Sequence, residues 1–210
     1  MPGAQPPTPT GYALLGLLSF GHQLSGYELK QWADASLRFF WSAPAMSQVY
    51  RELERLAAEG YVTQRSVVRE GTRETKVYRL SRSGERAVRR WLAEVPEPPT
   101  LKHPVALRIF LGHLLEPADL RKAIQAHRDW CDQMLAELAE IRDKLGDDPL
   151  WCNAARVADW GLDYYRGDRT AVDRLGRAAL EQPPDVSPDP ASDPDPDPGR
   201  DPGPGPEPGP

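Results

Sequence analysis

Two cysteines, Cys131 and Cys152, are too few for a disulfide framework in a chain of 210 residues and fit reduced thiols in a reducing compartment. No apolar run approaches the roughly 20 residues that a membrane-spanning helix needs. The opening Met-Pro-Gly-Ala-Gln-Pro-Pro has neither the basic end nor the apolar centre of a signal peptide. A cytoplasmic protein with no membrane contact is therefore expected. Catalytic signatures are missing too: there is no Gly-rich phosphate loop, no Gly-x-Ser-x-Gly and no carboxylate pair clustered in an apolar setting. Neither an enzyme nor a cofactor is expected. Of the four histidines, only His127 has a cysteine one helical turn away, Cys131. Two ligands do not make a metal site, packing along a helix seam accounts for the pair, and no metal is expected. His127 in such a seam also offers a pH-sensing position.

What the chain has is unevenly distributed. The formal net charge is -5. Residues 11–95 hold 13 Lys+Arg against 9 Asp+Glu, residues 96–180 hold 12 against 14, and residues 181–210 hold 1 against 8. The acid thus sits mostly in the tail, and the amino-terminal segment is basic. Phosphate affinity depends on local cations and counterion release, so a remote acidic tail does not veto nucleic-acid binding. Residues 181–210 also carry 12 of the 23 prolines and have almost nothing to bury, which predicts a disordered acidic Pro/Asp/Gly tail. Residues 1–10, with four prolines and no charge, read as a disordered lead.

The stretch from Ser42 to Gly60 organises the rest. Val49, Leu53, Leu56 and Gly60 fall on one helical stripe, and Ser47, Gln48, Arg51, Glu54 and Arg55 fall opposite. A helix beginning near Pro44 and stopping at Gly60 is short enough for a DNA major groove. After it, Tyr61–Val68 and Lys76–Leu80 are strand-like runs separated by the polar, glycine-containing loop Arg69–Thr75, the pattern of a hairpin. Ser81 then caps another helix through Trp91. Upstream, Tyr12–Phe20 is apolar enough for a short buried helix, with Thr10 as its cap. Ser25 and Glu28 match a capping box, with Leu24 and Leu29 at the spacing of a hydrophobic staple. Phe39, Phe40 and Trp41 read as an anchor for the chain leading into the third helix. Three helices, a hairpin and a fourth helix are the order of a winged helix-turn-helix module over residues 11–95, with the loop from Arg69 to Lys76 as its wing.

In helix-turn-helix docking, early residues of the recognition helix approach base edges while later ones and the wing hold the backbone. Ser47, Gln48 and Arg51 are then the candidates for base contact, Arg51 suiting guanine and Gln48 adenine. Tyr50, at the border of the buried face, can pack its ring and offer its hydroxyl to phosphate. Arg55 lies one turn deeper, and Arg69, Arg73 and Lys76 on the wing would follow the backbone or enter the minor groove.

Residues 96–104, with Pro96, Pro98, Pro99 and Pro104, interrupt any helix and read as a linker. Beyond it, residues 105–180 read as a helical dimerisation domain. Val105–Leu115 is a short apolar helix. Pro117 then opens a long one, with Gly146 past its end. Along it Leu120, Ile124, His127, Cys131, Met134, Leu138, Ile141 and Leu145 recur at alternating intervals of four and three, a heptad seam expected to meet its own neighbours and a second subunit. A last helix from Asp148-Pro149 to about Leu180 repeats the spacing in Trp151, Ala155, Ala158, Leu162 and Tyr165. The fold class expected is mainly α with one small hairpin.

The ordered set of these pieces resembles the PadR-like transcriptional regulators, in the branch with a helical carboxy-terminal domain. The residues that carry the resemblance are Leu14-Leu15-Gly16-Leu17-Leu18, Ser25-Gly26-Tyr27-Glu28-Leu29, Ser47-Gln48-Val49-Tyr50, Leu53-Glu54-Arg55-Leu56 with Glu59-Gly60, Val77-Tyr78-Arg79-Leu80-Ser81 with Gly84, and Leu107-Arg108-Ile109-Phe110-Leu111. Arg51 stands where many relatives carry proline and Ser81 where threonine is usual. The resemblance implies repression relieved by a small, often aromatic, molecule lodged between the DNA-binding and dimerisation domains, where Trp130, Trp151, Trp160, Tyr164 and Tyr165 supply aromatic surface. Two modules joined by the carboxy-terminal seam would meet successive major grooves roughly 34 Å apart, giving a homodimer on an inverted-repeat operator in double-stranded DNA. The alternative is a winged helix used as a protein-interaction or scaffold module without sequence-specific DNA binding.

Overall fold

The computed structural model describes residues 5–68 and 74–181. The expectations for Met1–Ala4, for Arg69 and Arg73 at the wing, and for the acidic segment 182–210 lie outside the described residues. The chain forms α1 (Pro9–Leu18), β1 (Leu24–Ser25), α2 (Gly26–Ser36), a 3-10 turn (Leu37–Phe39), α3 (Met46–Ala58), β2 (Val62–Val67), β3 (Thr75–Leu80), α4 (Arg82–Leu92), α5 (Pro104–Phe110), a second 3-10 turn (Gly112–Leu114), α6 (Pro117–Leu145), a third (Pro149–Trp151) and α7 (Cys152–Glu181). It divides into two compact units. One comprises residues 1–102 with 130–167, the other 103–129 with 168–210.

In the first unit, local sequence sets the helix starts. Ser25 accepts from the Glu28 amide and Glu28 returns a carboxylate to the Ser25 amide, the reciprocal capping box. Thr8, not Thr10, caps α1, accepting from Gly11 N with Pro9 in the first turn. The disorder expected of residues 1–10 does not hold for residues 5–10, which are ordered. Pro7 is buried, Gln5 N donates to Glu59 Oε2 at 3.1 Å, and Tyr61 Oη donates to Gln5 O at 3.1 Å. The core gathers Leu14, Leu15 and Leu18 of α1, Leu29 of α2, Val49, Leu53 and Leu56 of α3, and Tyr61, Val62 and Tyr78 of the sheet region. Burying side chains of this size stabilises by about 1.5–3 kcal/mol each before entropy is set against it.

The hairpin is one strand short of the whole sheet. β2 and β3 pair antiparallel from Val62 opposite Leu80 to Val67 opposite Thr75, and the two-residue β1 pairs with the other edge of β3, Leu24 opposite Tyr78. Two residues are too few for a period-2 signal, so β1 had no sequence signature. At the root of the hairpin, Ser81 Oγ donates to Gly60 O at 2.7 Å and accepts from Gly84 N, while Ser81 N donates to Tyr61 O. Gly60 makes the turn into β2 with φ 72°, a left-handed conformation suited to glycine.

The heptad ridge of α6 is covered by its own chain. In the first unit Met134 and Leu138 pack with Phe39, Ala158 and Tyr165, and Cys131 is fully buried. In the second unit Leu120 and Ile124 pack with Val105 and Val172. Glycines on α7 admit the close approach: a Cβ at Gly176 would lie 2.4 Å from Ile124 Cδ1. Ile141 and Leu145 are partly buried and His127 is turned into a polar cluster. The ridge thus packs on neighbours within its own chain, the first half of what the spacing predicts; its contact with a second subunit stays an expectation. Periodicity reports that a helix has an apolar face but not which helix covers it.

Substituting Gly84→Ala tests the root of the hairpin, because its Cβ would meet Tyr61 O at 2.2 Å. Backbone must move, and the variant is expected to lose about 2 kcal/mol of stability by chemical denaturation. An unchanged denaturation midpoint would show that the contact is absent in solution.

Candidate functional site

Amphipathic α3 divides cleanly. Val49, Leu53 and Leu56 are fully buried, and Ser47, Tyr50, Arg51 and Glu54 are exposed on the other side. Arg51 makes no hydrogen bond or ion pair among the described residues and is the cation this face holds out to solvent. Gln48 is only partly exposed, and its Nε2 donates to Thr10 Oγ1 at 3.0 Å, so it is oriented by α1. Arg55 is tied down: it donates to Glu52 Oε2 at 3.0 Å and to Pro6 O at 3.2 Å. Of the α3 residues expected at DNA, Ser47, Tyr50 and Arg51 are therefore open, Gln48 is positioned, and Arg55 braces the fold.

Tyr50 owes its place to a glycine. A Cβ at Gly26 would lie 2.5 Å from Tyr50 Cε1, so the ring rests on the bare backbone at the start of α2 while remaining 45% exposed. Beneath the same face, burial and then the Glu54 carboxylate and Tyr50 raise the Tyr78 phenol above its ordinary value, which keeps it protonated through neutral pH. Lys76 is exposed on β3, and the exposed Arg65 and Arg79 add cations on the strands. Arg65 also donates through Nε to Gln23 Oε1 at 2.8 Å. Alternation along β2 and β3 could have singled out these two arginines; attention to the wing tip passed over them.

Buried Glu52 also went unanticipated. It is 6% exposed and accepts from Thr8 Oγ1 at 2.9 Å and from Arg55. It lies three residues after Val49 and four before Leu56, on the buried stripe itself, where the carboxylate faces Thr8 and Gly11 at the start of α1.

A second site lies elsewhere in the same unit. An apolar cavity of about 590 Å³ is lined by residues of α1, α2, the first 3-10 turn, α6 and α7. Phe20 stacks on Trp151 with centroids 4.5 Å apart, Trp32 meets Trp151 edge-on at 6.1 Å, and Phe40, Leu138 and Trp160 complete the aromatic and aliphatic wall. Of the five aromatics expected here, Trp151 and Trp160 line the cavity. Trp130, Tyr164 and Tyr165 do not: Tyr165 packs edge-on against Trp130 and Tyr164, and Tyr164 stacks on Trp160. Phe20 and Trp32, lying outside the expected set, come from the winged helix and are brought here by the fold. Of the three aromatics expected as an anchor only Phe39 is buried, at 5% exposure, while Phe40 and Trp41 are 46% and 50% exposed; Tyr165 Oη donates to the Phe39 carbonyl at 2.9 Å across 126 residues of sequence. Arg38, beside it, pairs with Glu137 of α6.

The imidazole of His127 turns to α7 for a polar partner. Its Nε2 lies 3.0 Å from Asp168 Oδ2, and His103 Nε2 lies 2.9 Å from Asp168 Oδ1.

Three helices, a small antiparallel sheet and an outward helix face carrying arginine define a winged helix-turn-helix protein with long carboxy-terminal helices. The family model for PadR-like transcriptional regulators matches residues 14–90, and that for the virulence activator alpha C-terminal region matches residues 101–178. The negative transcriptional regulator PadR of Bacillus subtilis (strain 168) is 35% identical over 139 residues, which is 64% of this chain and 70% of that protein. The crystal structure of Bacillus subtilis PadR in complex with operator DNA is similar with a TM-score of 0.70 at 26% identity, covering 80% of this chain and 98% of that one. The same protein in complex with p-coumaric acid gives 0.63 at 26% identity, over 81% and 98%. The chain belongs to the PadR-like family of transcriptional regulators, a family of regulators and not of enzymes. No helix among the described residues is long and apolar enough to cross a membrane.

Tyr165→Phe removes the donor to a buried carbonyl and is expected to cost about 1–2 kcal/mol. Denaturation monitored by tryptophan fluorescence reads this as a lowered midpoint; an unchanged midpoint would mean that water satisfies the Phe39 carbonyl instead.

Proposed function

We propose that the protein is a homodimeric, sequence-specific DNA-binding repressor whose release from an inverted-repeat operator is triggered by a small aromatic molecule. The observation that carries this reading is the split of α3, whose fully buried stripe turns Arg51 and Ser47 outward with Tyr50 beside them. Arg51 is assigned to base reading and Gln48, held by Thr10, to a second base or a fixed phosphate. Tyr50, Lys76 and the wing arginines Arg69 and Arg73 are assigned to the backbone. Arg55 drops out of direct contact because its guanidinium is engaged by Glu52 and Pro6. In this reading the working compartment is the cytoplasm.

Dimerisation calls for an apolar surface that the chain does not cover itself. Leu107, Phe110, Leu111 and Leu114, on α5 and the turn after it, are 59%, 80%, 42% and 71% exposed. That set supports a two-fold contact made here beside the α6 ridge. The effector site is the aromatic cavity, whose walls come from both the winged helix and the carboxy-terminal helices. A planar ligand there would act by favouring a dimer whose two α3 helices are misaligned for DNA.

A mobility-shift titration on the DNA upstream of the gene tests the DNA reading. Arg51→Ala is expected to weaken specific binding by about 1–3 kcal/mol and to relax base preference at one position per half-site. Lys76→Ala is expected to weaken all sequences alike and lower the salt slope by about one. Full specific affinity in the Arg51 variant would point to a protein-interaction module instead. For the cavity, p-coumaric acid serves as the probe. It should quench tryptophan fluorescence and weaken operator binding in the native chain, and do neither in Ala154→Phe, which fills the cavity. Equal responses in both would remove the cavity from the mechanism.

A further inference from the structure

We propose that His103, His127 and Asp168 form a site for a divalent late first-row transition-metal ion such as zinc. The three side chains come from three elements of one compact unit: the residue capping α5, the middle of α6 and the second half of α7. One ligand atom from each lies within 4.8 Å of the others. They are nearly closed off from solvent, with side chains 14%, 10% and 13% exposed. Two imidazoles and one carboxylate are the donor set of zinc, cobalt, nickel or copper, whereas magnesium and calcium take oxygen ligands throughout. Three protein ligands leave a fourth position for water or an exogenous group.

The ligand atoms are near one another and bind a metal after a small rearrangement. Asp168 accepts from His103 Nε2 at 2.9 Å and from His127 Nε2 at 3.0 Å. A tetrahedral zinc with bonds of roughly 2.0–2.2 Å holds its ligand atoms roughly 3.4 Å apart; the two Asp168 contacts, made to different oxygens, must lengthen by a few tenths of an ångström while the widest pair of ligand atoms, within 4.8 Å, draws in. Asp173, also in this unit, is engaged by Arg128 at 3.0 Å and is not a fourth ligand.

The second face of His103 gives the site a readout. His103 Nδ1 accepts from Ala106 N at 3.1 Å and thereby caps α5. With Nδ1 accepting and Asp168 accepting, the imidazole proton is on Nε2. A metal on Nε2 moves that proton to Nδ1, which then cannot accept from Ala106. Loading the site therefore uncaps α5, the helix that carries the exposed Leu107 and Phe110.

The test uses the full chain, freed of metal by a chelator and titrated with zinc by calorimetry and with cobalt(II) by visible absorption. One ion per chain is expected, with the ligand-field bands of a low-symmetry four- or five-coordinate cobalt. His127→Gln and Asp168→Asn should each weaken binding about a hundredfold or more. His103→Asn should do the same while keeping α5 capped, since asparagine is a strong capping residue. In the native chain, zinc should also speed hydrogen exchange at the Ala106 amide. No stoichiometric binding would overturn the site, and so would zinc held equally by all three variants, which would assign it to the acid-rich carboxy-terminal segment. Unchanged exchange at Ala106 in the loaded chain would overturn the coupling to the cap.

Discussion

Burial of one face of α3 is the constraint on which the rest of the structure depends. Val49, Leu53 and Leu56 have no exposed surface, so the helix cannot rotate about its axis without pulling apolar groups into water. That fixed rotation decides which side chains look outward, and Arg51 is the cation among them. The surrounding pieces reinforce the setting. Gly26 gives Tyr50 a flat place to lie, and Ser81 and Gly84 hold the hairpin root against the turn that ends α3. Specificity in such a module is thus a property of core packing as much as of surface chemistry.

Much of this was legible in the sequence because it is local. The α2 capping box needs only Ser25 and Glu28, the stripe of α3 needs only a period, and the start of α6 at Pro117 needs only the geometry of proline. What could not be read required a second segment to arrive. Glu52 is a carboxylate on the apolar stripe of α3, and the partners that satisfy it and Arg55, Thr8 and Pro6, come from more than forty residues away. β1 exists only as a partner for Tyr78 and Val77. The cavity joins Phe20 and Trp32 to Trp151 over more than half the chain, so a search among the carboxy-terminal aromatics found only part of the wall.

The α6 ridge shows the same limit from the other side. Its alternating spacing correctly identifies an apolar face, and nothing in a heptad distinguishes a partner within the chain from one outside it. Small residues on α7, Gly161 against Leu138 and Gly176 against Ile124, let α7 approach closely enough to cover the ridge. Among the apolar groups still exposed are Leu107 and Phe110 of α5, a helix of seven residues whose Val105 alone is buried. A short helix with two large hydrophobic side chains, Leu107 and Phe110, in water is a poor element for an isolated chain and a reasonable one for an assembly.

The contacts made by residues 5–8 carry an implication for handling the molecule. Four hydrogen bonds run from this short segment to Glu52, Arg55, Glu59 and Tyr61, at 2.9–3.2 Å, and all four of those residues belong to α3 or the turn leaving it. The segment works as a splint laid along the back of the helix. Trimming it, or crowding it with a bulky fusion, would loosen α3 from a side that never approaches a ligand, and would do so without altering a single outward-facing group.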